Sequence, residues 1–354
     1  MSSELFCPDH RDHLSGTEYE GMILPMLARE LSVPWLYKHF KEGVVALQPK
    51  LDGVRFIYTG ASEHAHGRFH SRKGKPVATL LTGLREEIRD AFGDIPADGE
   101  LYRHSGPDDA YDFRDIISQV RSEDSGKYED DGMVQYHVYD LPIPGMPFEE
   151  RIEKAKELIE KLGDGSRIRL VPTRLGFDFT EVIPPLVFTD KKNKALKKEE
   201  EAAQNIAAQA ALNLFEEGGY EGTMIRRPRS PYLFGGLSPT GKNAGHPSGS
   251  RGRSYELLKA KRFIDVEVTV VGLEKGEAGN RNEHRLGAIV CEFKNSKGET
   301  LRCKCGSGFT DDMRDSFWND PSQIVGKEVT IKFQEYTKDG IPRFPVFVAI
   351  RDYE

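Results

Sequence analysis

Cysteine is scarce. Four cysteines in 354 residues exclude a disulfide-stapled scaffold and favour reduced thiols in a cytosolic setting. Long apolar runs are lacking as well, and no stretch approaches the roughly 20 residues needed to span a bilayer. The opening residues Met1-Ser2-Ser3-Glu4-Leu5 carry neither the basic segment nor the apolar core of a secretory leader. A cytoplasmic chain with no membrane partner is the expectation. An excess of positive charge is missing too: 50 Lys and Arg against 57 Asp and Glu give −7. That argues against a surface coated in cations, although net charge hides local patches. A hydrophobic content of 38% and a charged content of 30% exclude a disordered chain. The length suits two ordinary domains.

One local patch is strongly basic. Between Arg226 and Arg262 there are nine Lys or Arg and one acid, Glu256. Such a segment can hold phosphates; standing alone it would read as a solvated loop.

The secondary structure divides into two textures. Val44 to Lys50 and Val54 to Tyr58 read as strands around an Asp52-Gly53 turn. Leu80 to Phe92 has helical apolar spacing and stops at Gly93. Val134 to Leu141 reads as a buried strand stopped by Pro142 and Pro144. Phe148 to Leu162 reads as an amphipathic helix, and Lys191 to Glu217 as a longer one with a solvated charged face. Pro231 to Ser250, dense in Gly, Ser and Pro, reads as a loop. After Lys261 come five short alternating segments: Asp265 to Gly272, Gly287 to Lys294, Thr300 to Gly306, Glu328 to Tyr336 and Val346 to Asp352. They predict a small barrel of the OB type. The domains expected are 1–262 and 263–354.

The chemistry begins at Lys50, in Gln48-Pro49-Lys50-Leu51-Asp52-Gly53-Val54-Arg55. A lysine amine becomes a nucleophile when neighbouring cations or desolvation depress its pKa. Here it would sit at a pocket wall, with Arg55 as a fixed cation for an anionic substrate. The Lys-x-Asp-Gly-x-Arg run resembles motif I of the covalent nucleotidyltransferases: ATP-dependent DNA ligases, RNA ligases and mRNA capping enzymes. Five further segments follow in that superfamily's order. Ser71-Arg72-Lys73-Gly74 resembles its S-R-x-G element, and Asp98-Gly99-Glu100-Leu101 its motif III. Val138-Tyr139-Asp140-Leu141 resembles motif IIIa, Glu221-Gly222-Thr223-Met224-Ile225-Arg226 motif IV, and Leu257-Leu258-Lys259-Ala260-Lys261 motif V. Leu286 to Val290, Gly306 to Thr310, and Arg343-Phe344-Pro345 running on to Arg351-Asp352 resemble the OB-domain segments of ATP-dependent DNA ligases, in the short, viral or phage-type form.

The resemblance implies an α+β fold: an adenylation domain of antiparallel sheets with flanking helices, then a small all-β OB domain that re-orients about a hinge near Arg262 to Asp265. It implies ATP and Mg²⁺ or Mn²⁺ as cofactors, nicked double-stranded DNA as partner, and a monomer. Lys50 would take AMP from ATP, pass it to a 5′-phosphate at a nick, and the 3′-hydroxyl would expel it. Asp52, Arg55, Lys259 and Lys261 are the other catalytic residues implied. Gln48, Arg72, Glu100, Tyr139 and Glu221 would hold the nucleotide, with Glu100 and Glu221 also on the metal. Arg226, Arg251 and Arg253 would meet DNA, and Arg343 and Arg351 of the OB domain would assist the first step. Many relatives carry a glutamate where Gln48 stands, accepting from the adenine amine. An amide oxygen can accept the same bond, more weakly.

The rival readings are an RNA ligase, a capping guanylyltransferase that selects GTP, and a non-catalytic nucleic-acid binder. An NAD-dependent ligase lacks support, since there is no four-cysteine zinc module. Cys303-Lys304-Cys305 reads as buried strand thiols rather than a zinc site. His64, His66 and His70 read as surface histidines, and Asp9 to His13 as a loose tail. Replication, repair and recombination are not distinguished.

Overall fold

The computed structural model describes residues 14–61, 67–77, 81–104, 116–117, 119–120, 132–183, 185, 192–212, 214–215, 218–237, 253–261, 263–295, 298–337 and 339–351. The chain divides into two compact units, Met1–Ala260 and Lys261–Glu354. Among the described residues no helix is long and apolar enough to cross a membrane.

The first unit holds two five-stranded sheets. One runs in the order β1 (Leu27–Glu30), β10 (Arg253–Lys261), β9 (Gly222–Arg226), β2 (Val44–Lys50), β8 (Arg174–Asp178). The other runs β4 (Phe69–His70), β3 (Val54–Tyr58), β5 (Ala97–Tyr102), β6 (Gln135–Asp140), β7 (Ile168–Leu170). β2 is antiparallel to both neighbours, whereas β1 with β10 and β6 with β7 are parallel pairs.

Alternation along β2 assigns its two faces. Val45 and Leu47 enter a core with Val33 and Leu36 of helix α1 (Val33–His39). Ala46 points the other way, against Phe148 and Ile152, and by period two Gln48 and Lys50 share that side. Helix α2 (Thr82–Phe92) packs Leu84, Ile88 and Phe92 onto the second sheet. Helix α3 (Phe148–Ile159) opens after Pro147, with Glu149 and Glu150 complementing its dipole. It buries Phe148, Arg151, Ile152 and Ala155, one face at helical spacing. Full burial of a Phe such as Phe148 is worth about 1.5–3 kcal/mol. Helix α4 (Lys194–Leu212) contributes the buried Ala208 to the core beneath the first sheet.

Three glycines allow close approaches. A Cβ on Gly53 would lie 2.3 Å from the Leu101 carbonyl oxygen, and one on Gly99 would lie 2.5 Å from that of His137. Asp98-Gly99 is therefore not a turn. It lies inside β5, opposite β3 and β6. Gly74, with φ +77°, closes the Ser71–Gly74 turn, where Gly74 N donates to Ser71 O.

The second unit is one sheet in the order β13 (Thr300–Cys305), β12 (Leu286–Lys294), β11 (Ile264–Lys275), β14 (Glu328–Phe333), β15 (Val346–Ile350). All four of its strand pairings are antiparallel. A parallel bridge from Ser307 to Val346 links the two ends of the order. Helix α5 (Asp311–Asn319) sits between β13 and β14. It is capped by Thr310, whose hydroxyl accepts from Met313 N. Cys291, Cys303 and Cys305 are buried free thiols in this unit's core. Among the described residues no cluster of three or more His, Cys, Asp or Glu could hold a metal.

One histidine expectation is corrected. His70 is buried: its Nδ1 lies 2.9 Å from Ser71 O, and Ile23 N donates to its Nε2 at 3.2 Å. A ring nitrogen that accepts from a backbone N–H must be unprotonated, and burial accordingly holds His70 below its ordinary pKa. His64, His66 and the segment Asp9 to His13 lie outside the described residues, as do residues 238–250 of the expected loop.

Candidate active site

Lys50 ends β2, and Glu221 stands beside it just before β9. Glu221 N donates to Lys50 O at 3.1 Å, and the Lys50 ammonium donates to the Glu221 carboxylate and to Leu51 O. Both side chains are mostly sequestered, with 20% and 12% exposure. Glu100 of β5 faces Arg55 across the strand pair. Burial pushes its carboxyl up to about 7, and the neighbouring Asp98 and Glu221 add to the rise while Lys50 and Arg55 oppose it. Two crowded carboxylates are a donor set that a divalent cation relieves. With two protein oxygens, such an ion would complete its shell from phosphate and water.

Arg55 is the most tightly held cation of the group. It clamps Asp98 from Nε at 2.9 Å and Nη2 at 2.5 Å, and Nη1 donates to Met26 O at 2.8 Å. The guanidinium also lies 5.6 Å from the ring centroid of Tyr139. On the same ring, Arg226 sits at 5.8 Å. Tyr139 is thus an aromatic platform flanked by two cations.

Beyond Tyr139 lies a buried polar network. Asp140 accepts from Arg151 at 2.7 and 3.1 Å and from Arg226 at 2.6 Å, and it is fully buried. Arg226 Nε also donates to the Gln48 amide oxygen at 2.9 Å. The Gln48 amide nitrogen donates to Tyr139 O and to Thr173 Oγ1. Gln48 is only 1% exposed. The placement of its amide follows from these partners: a carbonyl on one side and an arginine N–H on the other admit one orientation.

The Arg226 expectation is therefore corrected. At 4% exposure, with its donors directed at Asp140 and Gln48, it cannot meet a DNA phosphate. Its signal was hidden by the surrounding basic run. Arg253 is exposed, donating to Ala28 O at 2.7 Å, and Arg251 lies outside the described residues. Lys259 forms an ion pair with Glu30 at 2.7 Å. Lys259 and Lys261 flank Ala260, and Leu258 and Ala260 enter the same core as Val45 and Leu47. Lys259 consequently occupies the Lys50 face of the sheet, and Lys261 ends β10 as the first residue of the second unit. Asp52 lies on the turn after β2 and adds to the raised pKa of Tyr102, behind burial and Tyr220. Arg72 stands on the exposed turn after β4. In the second unit Arg343 pairs with Glu335 and Arg351 with Glu267.

The sequence assigns no role to Arg151 or Tyr232, and none to Asp98 beyond its place in the Asp98–Leu101 segment. Arg151 could have been found: it is a cation at a buried helical position. Tyr232 lies in the segment that reads as loop. It is 3% exposed and donates to Asp98 Oδ2 at 2.6 Å.

Comparison with known proteins decides the family. Residues 25–239, more than half of the chain, match the model of the ATP dependent DNA ligase domain. The chain belongs to the ATP-dependent DNA ligase family. Residues 278–351 match the DNA ligase OB-like domain. A DNA ligase from Halobacterium salinarum is 23% identical over 95% of this chain and 56% of its own length. The chain thus spans little more than half the length of that relative. The solved structure "Pmar-Lig_Pre." shares 25% identity with TM-score 0.64, over 94% of this chain and 68% of that one. A second, described as "DNA binding with a minimal scaffold: Structure-function analysis of Lig E DNA ligases", shares the fold at 20% identity and TM-score 0.61, over 92% and 98%. In this ligase-family chain the Lys50 cluster falls inside the matched residues.

Proposed function

We propose that this chain is an ATP-dependent DNA ligase that seals nicks in duplex DNA through a lysine–AMP intermediate. The observation that carries the reading is Lys50 at the end of β2, hydrogen-bonded to Glu221, with Glu100 and the clamped Arg55 beside it. The Lys50 amine attacks the α-phosphorus of ATP and pyrophosphate leaves. The AMP passes to a 5′-phosphate, and the 3′-hydroxyl then displaces it. Each step is an in-line displacement in which charge spreads over non-bridging oxygens, so cations aimed at those oxygens do most of the catalysis. Arg55, Lys259 and Lys261 are those cations in this reading, with Asp52 near the 3′-hydroxyl. Glu100 and Glu221 would hold Mg²⁺ or Mn²⁺, which would neutralise phosphate charge when bound. Tyr139 supplies a stacking face for the base. Arg72 and Arg253 meet ribose or DNA phosphates, and Arg343 and Arg351 assist the first step. The two domains divide at residues 260–262, and the protein acts as a monomer in the cytoplasm.

Gln48 sets the remaining question of base choice. Its amide oxygen already accepts from Arg226, which leaves it one lone pair for an adenine amine. Both amide hydrogens are spent on Tyr139 O and Thr173 Oγ1, which leaves none for a guanine carbonyl; a GTP-selecting transferase is the second reading, and this disfavours it.

Incubation with labelled ATP or GTP, followed by nicked duplex DNA or RNA, tests both. The expected result is an ATP-derived adduct chased into sealed DNA, with no adduct in Lys50→Ala. A normal adduct in that variant would sink the assignment, and preference for GTP would move it to the second reading.

A further inference from the structure

Tyr232 closes a ring of hydrogen bonds around Arg55. Its hydroxyl donates to Asp98 Oδ2 at 2.6 Å and accepts from Met26 N at 3.2 Å. Asp98 accepts from Arg55 Nε and Nη2, and Arg55 Nη1 donates back to Met26 O. Four separate chain segments thus meet at one guanidinium: the approach to β1, β3, β5 and the stretch following β9. The Tyr232 ring is itself fixed. It is buried with Met26 and Leu257, its centroid is 4.9 Å from that of Phe234, and the Arg151 guanidinium lies 5.6 Å from it.

The ring fixes both the rotation and the remaining donors of Arg55. A guanidinium has five N–H bonds. Two are spent on Asp98 and one on Met26 among the described residues, leaving one N–H on each terminal nitrogen. Asp98 is fully buried. A buried carboxylate held by an arginine and a tyrosine hydroxyl has few ways to turn, and charge-assisted bonds of this kind are the strong ones. Loss of the hydroxyl would free one Asp98 lone pair and orphan the Met26 N–H, and the clamp on Arg55 would loosen.

We propose that Tyr232 is a positioning residue for Arg55: through Asp98 and the Met26 peptide it aims the two free N–H groups of that arginine at the substrate phosphates. The inference rests on the proposed nucleotidyl transfer and goes beyond it, since Tyr232 touches no substrate in this role. A residue of this kind acts through its partner. Its effect must therefore vanish once the partner can no longer be aimed.

The test is a double-mutant cycle on the rate of adduct formation with labelled ATP, using the full chain. Tyr232→Phe keeps the ring and removes the hydroxyl. It should slow adduct formation about tenfold or more, the scale of a lost hydrogen bond to a charged group. Arg55→Lys retains the charge but cannot make the two-pronged bond to Asp98. In the Arg55→Lys background, Tyr232→Phe should slow the reaction less than twofold further. Independent, additive losses would overturn the inference, because a merely structural tyrosine destabilises both backgrounds alike. A Tyr232→Phe rate equal to wild type would overturn it as well. If Tyr232→Phe does not fold, Asp98→Asn in the same cycle carries the same expectation. Absence of any adduct in the wild-type chain would instead remove the proposed function, and this inference with it. A wild-type adduct with additive variants removes the inference alone.

Discussion

The Asp140 pairs of the first unit and the surface pairs of the second treat their arginines in opposite ways. In the first, Arg151 and Arg226 converge on the fully buried Asp140, with 0% and 4% exposure. In the second, Arg351 pairs with Glu267 and Arg302 with Glu292 on open surface, the cations at 36% and 68% exposure. Burial changes what an ion pair does. Desolvation makes a buried pair a poor source of net stability but very costly to break, because the survivor is stranded. An exposed pair is screened by water and salt and contributes little. The buried pairs are therefore devices for holding geometry, and they cluster beside Gln48 and Tyr139. The exposed pairs impose no comparable constraint on geometry.

The comparison can be broken most decisively at Asp140. Asp140→Asn leaves Arg151 and Arg226 without a counter-charge, and it should cost about 3–5 kcal/mol of stability. Urea denaturation measures this, and a loss below about 1 kcal/mol would mean that water reaches the network. A middling effect is expected from pH. Burial holds His70 below its ordinary pKa of 6.5. It takes His137 down to about 4, with Arg169 and His104 adding to the depression. The unfolded chain binds these protons more readily, so their stabilising effect is complete above about 6.5 and is lost as pH falls toward about 4. Melting temperatures across that window should fall, and His137→Gln should flatten the decline. An unchanged profile would place the loss elsewhere. The smallest effect should come from the second unit. Glu267→Gln is expected to cost at most about 1 kcal/mol, shrinking further in high salt. A larger, salt-insensitive cost would remove the contrast between the units.

What the sequence made legible follows the range of the forces involved. The five strands of the second unit are legible to within one residue at their starts and three at their ends, because alternation is local and one face of each is buried. Helices α2 and α3 are legible from apolar spacing in the same way, with Gly93 closing the first; α3 ends at Ile159, three residues before the expected end. β1 was missed: its four residues are only partly buried, and its parallel partner β10 lies far along the chain. Helix α5 was missed although Thr310 with Asp311 and Asp312 is a readable start. At the candidate site, Lys50, Glu100 and Glu221 can be proposed from the sequence because the chemistry in question demands particular residues at fixed spacing. Arg226 was misread because nothing local tells a buried arginine from an exposed one. Its burial depends on Asp140, 86 residues away, and on Gln48, 178 residues away. Asp98 was hidden for another reason. Asp-Gly signals a turn, and only pairing on both sides made it a strand.

The ring at Arg55 also has a bearing on how the chain assembles. Its bonds join residues separated by 29, 43, 134 and 206 positions. Contacts of such separation close late, because the loop entropy must be met before they form. During synthesis Arg55 emerges early, with Met26 already made and Asp98 soon to follow. The tyrosine that completes the enclosure arrives 134 residues after Asp98. An unfinished polypeptide can carry Lys50 and Arg55, yet it has no means of fixing the arginine's direction. The order of residues along the chain thus acts as a clock: the last part of this enclosure to be synthesised is the one that completes it.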